Sequence, residues 1–453
     1  MSNIALRGGL AVSAILTGCA LFSMPAQAND QSVSGVWQSI GYGLWYDLGP
    51  EKARIYQVTD ETCVNMIEVG GIDYRDDAIT LQQATMPGVG AMMGASDFEL
   101  HLQGDKLAFE LGKLNPVLAE RRSALPAHCA TLTEGTPDAT FETLWHYFDE
   151  NFAFFDARQV DWQQAYDTYR PQVTADADDQ ALFGILQSML APFDDGHVSL
   201  ISPVGYFTAV QKPEWAADLE EEDVPVLAQQ PDAQLSNIEH HANDILVSGD
   251  LTPQIGYLRI NSFEGLEDEA GGFASLSDAV DKILQRHQDK KTLVIDVRAN
   301  LGGHDTAGLV VAGHFTSQVQ KVFEKNVWHR GEYIELSDIA IEPQTDTPFA
   351  GDIYVLTSGL TISAAETFAL AMAQLDQVQL VGEPTNGMLS DQFFAVLPNG
   401  WIATLSNEQY LSADGVQYEA VGVPVDIKVP LGASYASGET DPVLAKIKQL
   451  AGE

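Results

Sequence analysis

The chain has 453 residues, 45% hydrophobic and 19% charged, a balance that excludes a disordered chain and leaves room for two or three domains. Its 64 acidic against 23 basic side chains give a net charge of −41, which argues against nucleic acid and anionic lipid as partners. A solvated surface is the simplest reading of that excess, and a cationic substrate the weaker one.

Residues 1–28 read as a signal peptide. Arg7 is their single charge, an apolar run follows from about Gly8 to Met24, and Ala26-Gln27-Ala28 forms an A-x-A cleavage site. This predicts export to the periplasm or the extracellular space. Leu16-Thr17-Gly18-Cys19 competes as a lipobox, which would leave the protein anchored through a lipid on Cys19. No later run is long and apolar enough to span a bilayer. Beyond the leader only Cys63 and Cys129 remain, either as a disulfide or as two buried thiols.

Residues 29–135 alternate apolar and polar side chains between short breaks, as in AITLQQAT and KLAFELGK, and predict an all-β barrel or sandwich. Trp37, Tyr42, Trp45 and Tyr46 are its expected core aromatics, and Met86 to Ser96 reads as a flexible Met-Gly loop. Over 136–203 the period turns helical, in FETLWHYFDENFAFFDA, VDWQQAYDTYRPQV and DDQALFGILQSMLAPF. This helical subdomain ends in DDGHVSL, where an Asp-Asp-Gly turn places His197 just before a short strand. Residues 204–250 show little periodicity and read as a linker or lid. His240-His241 lacks further ligands at a metal-site spacing. From 251 to 453 strands and helices alternate, which predicts one layered α/β core.

The most informative stretch of that core is Ile353 to Gln374. An apolar strand runs to Gly359, and a helix opens after Ser363. A serine at a strand-to-helix turn lies where helix amides can stabilise an oxyanion. Ser363-Ala-Ala-Glu366 also fits a capping box, in which the serine caps and the glutamate reaches back. Earlier, TLVIDVRA is a buried parallel-type strand leading into Asn300-Leu301-Gly302-Gly303-His304. Such a turn is either a plain tight turn or a cradle whose N–H groups reach one oxygen unobstructed by Cβ atoms.

These segments carry a resemblance. LVIDVRANLGGH, YVLTSGLTISAAETFALAM, VGEPTNG and YEAVGVPVDIKV, with DDGHVSL, are similar in order and spacing to the motifs of the tail-specific (C-terminal processing) serine peptidases. The match runs over about residues 140–430. In the branch with a Ser/Lys dyad the lysine follows the last glycine of the GExTxG turn, where this chain has Met388. The tricorn-core branch resembles it better and implies Ser363 as nucleophile, His197 as base and Glu419 as orienting acid. It also implies a crotonase/ClpP-like α/β core, with oxyanion N–H groups from Gly302-Gly303 and Ala364. The second serine that this branch carries before its histidine is Gly196 here, so Asp194, Asp195 and Glu383 stand as substitutes for the orienting role. Between helical part and core there is too little chain for a PDZ module.

The expectation is an exported serine endopeptidase or tail-specific protease acting on peptide or protein substrates through an acyl-enzyme, with no metal or organic cofactor. Two alternatives remain: a non-catalytic binder of an apolar ligand or peptide on the same fold, and a crotonase-type acyl-CoA enzyme.

Overall fold

The computed structural model describes residues 32–453 except 76, 111–113 and 269–270. The expected leader and Cys19 therefore lie outside the described residues. Among the described residues no helix is long and apolar enough to cross a membrane.

The N-terminal region is all-β. Nine strands, from Gly35–Ser39 to Val117–Arg122, form one antiparallel sheet in which the first strand pairs with both the second and the ninth. Beyond the fourth and sixth strands, Glu68 and Thr85 exchange main-chain hydrogen bonds (2.7 and 2.8 Å), so the sheet curls back towards closure. Leu44, Tyr46 and Leu48 point inward, with half-buried Trp45 and Asp47 between them. Cys63 and Cys129 form a disulfide. The Met86–Ser96 stretch corrects the expectation of a flexible loop. Gly88–Met93 forms a 3₁₀ turn, and Val89 N donates to Gly400 O (3.0 Å). Gly88 (φ +64) lies so close to Gly400 that a Cβ would collide with its carbonyl.

Helices Pro137–Asn151, Trp162–Tyr169 and Asp179–Leu190 follow, each with a side-chain N-cap (Thr136, Asp161, Asp178). Their aromatics join a cluster that runs from Tyr46 and Phe109 of the sheet through Phe148, Phe152 and Phe193 to Leu200, Phe393 and Leu405. The last three belong to a four-stranded sheet ordered Gly205–Thr208, Ser199–Ser202, Ile402–Ser406, Gln392–Val396.

The α/β core is a seven-stranded sheet ordered Ser236–His241, Leu246–Asp250, Ile255–Ile260, Thr292–Asp296, Asp352–Thr357, Val378–Gly382, Ile427–Lys428, parallel from the third strand on. Leu293, Ile295, Ile353 and Val355 face helices Ala274–His287, Asp305–Gly313 and Ala364–Met372, while Val294, Tyr354 and Leu356 face helix Pro442–Leu450. Both faces are covered, which explains why these strands read as unbroken apolar runs. The first two strands come from the stretch expected to be a linker or lid.

Candidate active site

Three neighbouring parallel strands, Thr292–Asp296, Asp352–Thr357 and Val378–Gly382, end on the same side of the sheet, so the turns that follow them converge. The C-terminal edge of a parallel sheet is where such folds place ligands. The first turn carries Gly302-Gly303, the second Ser363 and the third Met388.

Ser363 precedes helix Ala364–Met372 with φ 56° and ψ −124°, near the mirror image of extended backbone. Its N–H donates to Met388 O (3.1 Å), and its carbonyl accepts from Glu366 N (2.7 Å). The hydroxyl makes no capping bond, which corrects the serine half of the capping-box alternative. It instead meets His197, with Nε2 and Oγ 3.2 Å apart. Glu366 is fully buried and accepts from Thr385 Oγ1 (2.5 Å), Gly387 N (2.7 Å) and Met388 N (2.7 Å). Burial raises its carboxyl to about 7 against the pull of those donors. Its work is to fasten the 385–388 turn to the helix behind Ser363.

The glycine turn is clamped from inside. Asn300 donates to Ile260 O (3.0 Å) and accepts from Gly302 N (2.8 Å), and Gly302 O accepts from Phe263 N (2.7 Å). Gly302 N–H is thus committed to the scaffold. A Cβ on Gly302 (φ +106) would stand 2.8 Å from Ser363 Cβ and 3.2 Å from Ala364 N, so only glycine permits this approach. Gly303, Ser363 and His197 together line a cleft of about 1090 Å³, with Tyr206, Leu360 and Phe394 on its walls. The Asp-x-Arg segment serves the frame: buried Arg298 pairs with Asp296 (2.5 Å) and with Asp441 (3.0 Å), the N-cap of the C-terminal helix.

His197 is held from the other sheet, just before strand Ser199–Ser202. Its N–H donates to Asp195 Oδ1 (2.9 Å), its carbonyl accepts from Thr404 Oγ1 (2.6 Å), and Asp195 Oδ1 lies 3.8 Å from Nδ1. Glu419 is buried nearby. Its Oε1 accepts from Arg158 Nη2 (2.6 Å) and its Oε2 from Leu389 N (2.9 Å) and Ser390 N (3.0 Å). Burial, then the charge of Asp195, push the Glu419 carboxyl up to about 8, against Arg158. Glu383 sits elsewhere, holding Trp215 Nε1 (2.9 Å) and Leu431 N (2.8 Å). Gly196 N donates to Met388 Sδ (2.6 Å), and a Cβ at 196 would stand 2.9 Å from that sulfur. The two positions that depart from the family's patterns are therefore packed on each other.

Arg158 went unread in the sequence. Its guanidinium is 4% exposed, and it donates to the carbonyls of Asp194 and Gly387 as well as to Glu419. The available signal was an arginine inside an aromatic helical stretch, where a buried cation needs a partner.

A serine hydroxyl within reach of an imidazole, beside a glycine turn and a helix N-terminus, has the geometry that a nucleophile–base pair requires. Residues 254–429 match peptidase family S41, and residues 137–191 match the tricorn protease C1 domain. The carboxyl-terminal-processing protease of Picosynechococcus sp. is 27% identical over 191 residues, 42% of this chain and 43% of that protein. The carboxy-terminal processing protease CtpA of Bacillus subtilis is 25% identical over 197 residues, 41% of this chain and 40% of that protein. The match thus takes in less than half the length of either relative. A Parabacteroides merdae structure provisionally described as a peptidase aligns with a TM-score of 0.59 and 26% identity, over 70% of this chain and 96% of that one. Mature CPAF aligns with a TM-score of 0.53 and 12% identity over 70% and 97%, a likeness of fold alone. Residues 254–429 are thus similar to the tail-specific peptidases of family S41.

Proposed function

We propose that this chain is an exported serine peptidase that cleaves peptide bonds through an acyl-enzyme on Ser363. His197 Nε2 takes the hydroxyl proton as Oγ attacks the scissile carbonyl, then returns it to the leaving amine. The N–H groups of Gly303 and Ala364 receive the oxyanion, since Gly302 N–H is already bound to Asn300. Asp195 faces the imidazolium from behind, 3.8 Å from Nδ1, and Glu419 lies next to Asp195 across Arg158. A cleft of about 1090 Å³ suits several residues of an extended polypeptide. Processing near a carboxyl terminus, which the relatives' names describe, is the variant of the reaction proposed. Export rests on the leader pattern of residues 1–28.

The observation that carries this reading is the 3.2 Å approach of His197 Nε2 to Ser363 Oγ. A fluorophosphonate should label the wild type at Ser363, with labelling lost in Ser363→Ala and strongly slowed in His197→Ala. A wild type that resists labelling and leaves unfolded polypeptides intact would overturn the proposal in favour of a ligand carrier on the same fold.

A further inference from the structure

Arg158 ends the one-turn helix Phe155–Arg158, and its guanidinium reaches behind both halves of the site. Nη1 donates to Asp194 O, on the loop that delivers His197. Nη2 donates to Gly387 O (2.7 Å), on the turn whose next residue, Met388, accepts the Ser363 N–H. Nη2 also holds Glu419 (2.6 Å) and lies 3.8 Å from Asp195 Oδ2. Two fully buried carboxylates thus share one buried cation, and one of the two, Asp195, faces His197 Nδ1.

Resting on the peptidase reading above, we infer that Arg158 is a positioning residue: it sets its positive charge between the Asp195 and Glu419 carboxyls and fixes the His197 loop against the Ser363 turn. The physical reason is that like charges at this depth cannot both persist without a cation between them. The groups facing this centre are Asp194 and Asp195 on the histidine loop, Glu419, Glu366 behind Glu419, and Tyr333 with Asp156 at its margin. Without the guanidinium its charge no longer opposes the burial and like charge that already raise the Glu419 carboxyl, and the loop that holds Asp195 behind His197 loses its tie to the Ser363 turn. The bidentate fork also spans two loops at once, which an ammonium cannot reproduce.

The test compares wild type, Arg158→Met, Arg158→Lys, Asp195→Asn and the double variant Arg158→Met/Asp195→Asn by fluorophosphonate labelling rate, by kcat and KM on an unfolded protein substrate, and by pH profile. Arg158→Met should lose about 10²-fold in kcat with KM nearly unchanged. Its acid limb should move up by about one pH unit. Arg158→Lys should recover about a tenth or more of the lost rate and bring the acid limb back. Asp195→Asn should lower kcat without adding to the loss in Arg158→Met. An Arg158→Met protein that labels at the wild-type rate, or whose loss lies in KM or melting temperature with an unmoved acid limb, overturns the inference alone. A wild type that does not label at Ser363 overturns it together with the peptidase reading.

Discussion

The main-chain N–H of Ser363 donates to the carbonyl of Met388 at 3.1 Å, while the N–H of Met388 donates to Glu366 Oε1 at 2.7 Å, one helical turn beyond that serine. The proposed nucleophile is thereby locked from both ends of a short circuit, in a backbone conformation that L-residues avoid. Positions held in such a region cost about 1–3 kcal/mol and persist where the surroundings dictate them.

The first prediction follows from that strain. At φ 56° and ψ −124° a glycine is at ease, so Ser363→Gly should abolish labelling yet raise stability. Relief of strain outweighs the added freedom of the unfolded chain, for a net gain of about 1 kcal/mol. Urea denaturation of both proteins checks it; a destabilised variant would show that the conformation carries no strain.

Glu366 offers the second. All three of its donors point at carboxylate oxygens, so Glu366→Gln would turn an amide NH₂ towards a backbone N–H or the Thr385 hydroxyl. The expected cost is about 2–3 kcal/mol, with the 385–388 turn loosened and the labelling rate reduced. Glu366→Gln with wild-type stability and rate would mean that the helix alone sets the turn.

How far the sequence revealed this site depended on where its side chains face. Ser363 and Gly302-Gly303 stand after strands buried on both sides, whose apolar runs are visible without tertiary information. Ser236–His241 is an edge strand, largely wet, and its polar sequence hid it inside an apparent linker. Residues 401–411, WIATLSNEQYL, carry no turn signal, yet fully buried Asn407 divides them between two sheets, its carbonyl accepting from Trp328 N (2.8 Å). The hairpin Gln320–His329 and Glu332–Ile341 turns at Arg330-Gly331 (φ +52 and +91), where the sequence offers only the glycine as a signal. Arg158 was hidden for another reason: its partners are 36 to 261 positions away, and no local pattern records them.

His287 gives a pH dependence. It ends helix Ala274–His287 fully buried against Gly256, and neither ring nitrogen finds a hydrogen-bond partner among the described residues. Burial first, then Arg286, lower its pKa from 6.5 to about 4, with Lys290 adding and Asp250 and Glu239 opposing. The folded state therefore binds fewer protons than the unfolded chain between those values. Its contribution is fully present above about 6.5 and is lost as pH falls towards 4, by about 3 kcal/mol at most. Denaturation at pH 7 and 4.5 should show His287→Leu close to wild type at the first and more stable at the second. Equal losses on acidification in both proteins would assign the acid sensitivity to other groups.

Tyr42 tests how the N-terminal sheet supports the cleft. Its hydroxyl donates to Glu408, whose other oxygen lies 3.1 Å from the fully buried Lys325, and Lys325 in turn holds Asp391 (2.8 Å) on the cleft wall. The Tyr42 ring packs on Phe393, 4.8 Å between centroids, so the contact is both apolar and polar. Tyr42→Phe keeps the ring and removes the donor. Weakening a hydrogen bond to a buried charge should cost about 1.5–3 kcal/mol, because Glu408 then relies more heavily on the lysine it shares with Asp391. The loss should be smaller in Tyr42→Phe/Glu408→Gln than the sum of the single losses, since the two groups act on one bond. Thermal unfolding of the four proteins of that cycle decides the matter. Additive losses would separate the sheet from the buried charge cluster and leave Tyr42 a packing residue only.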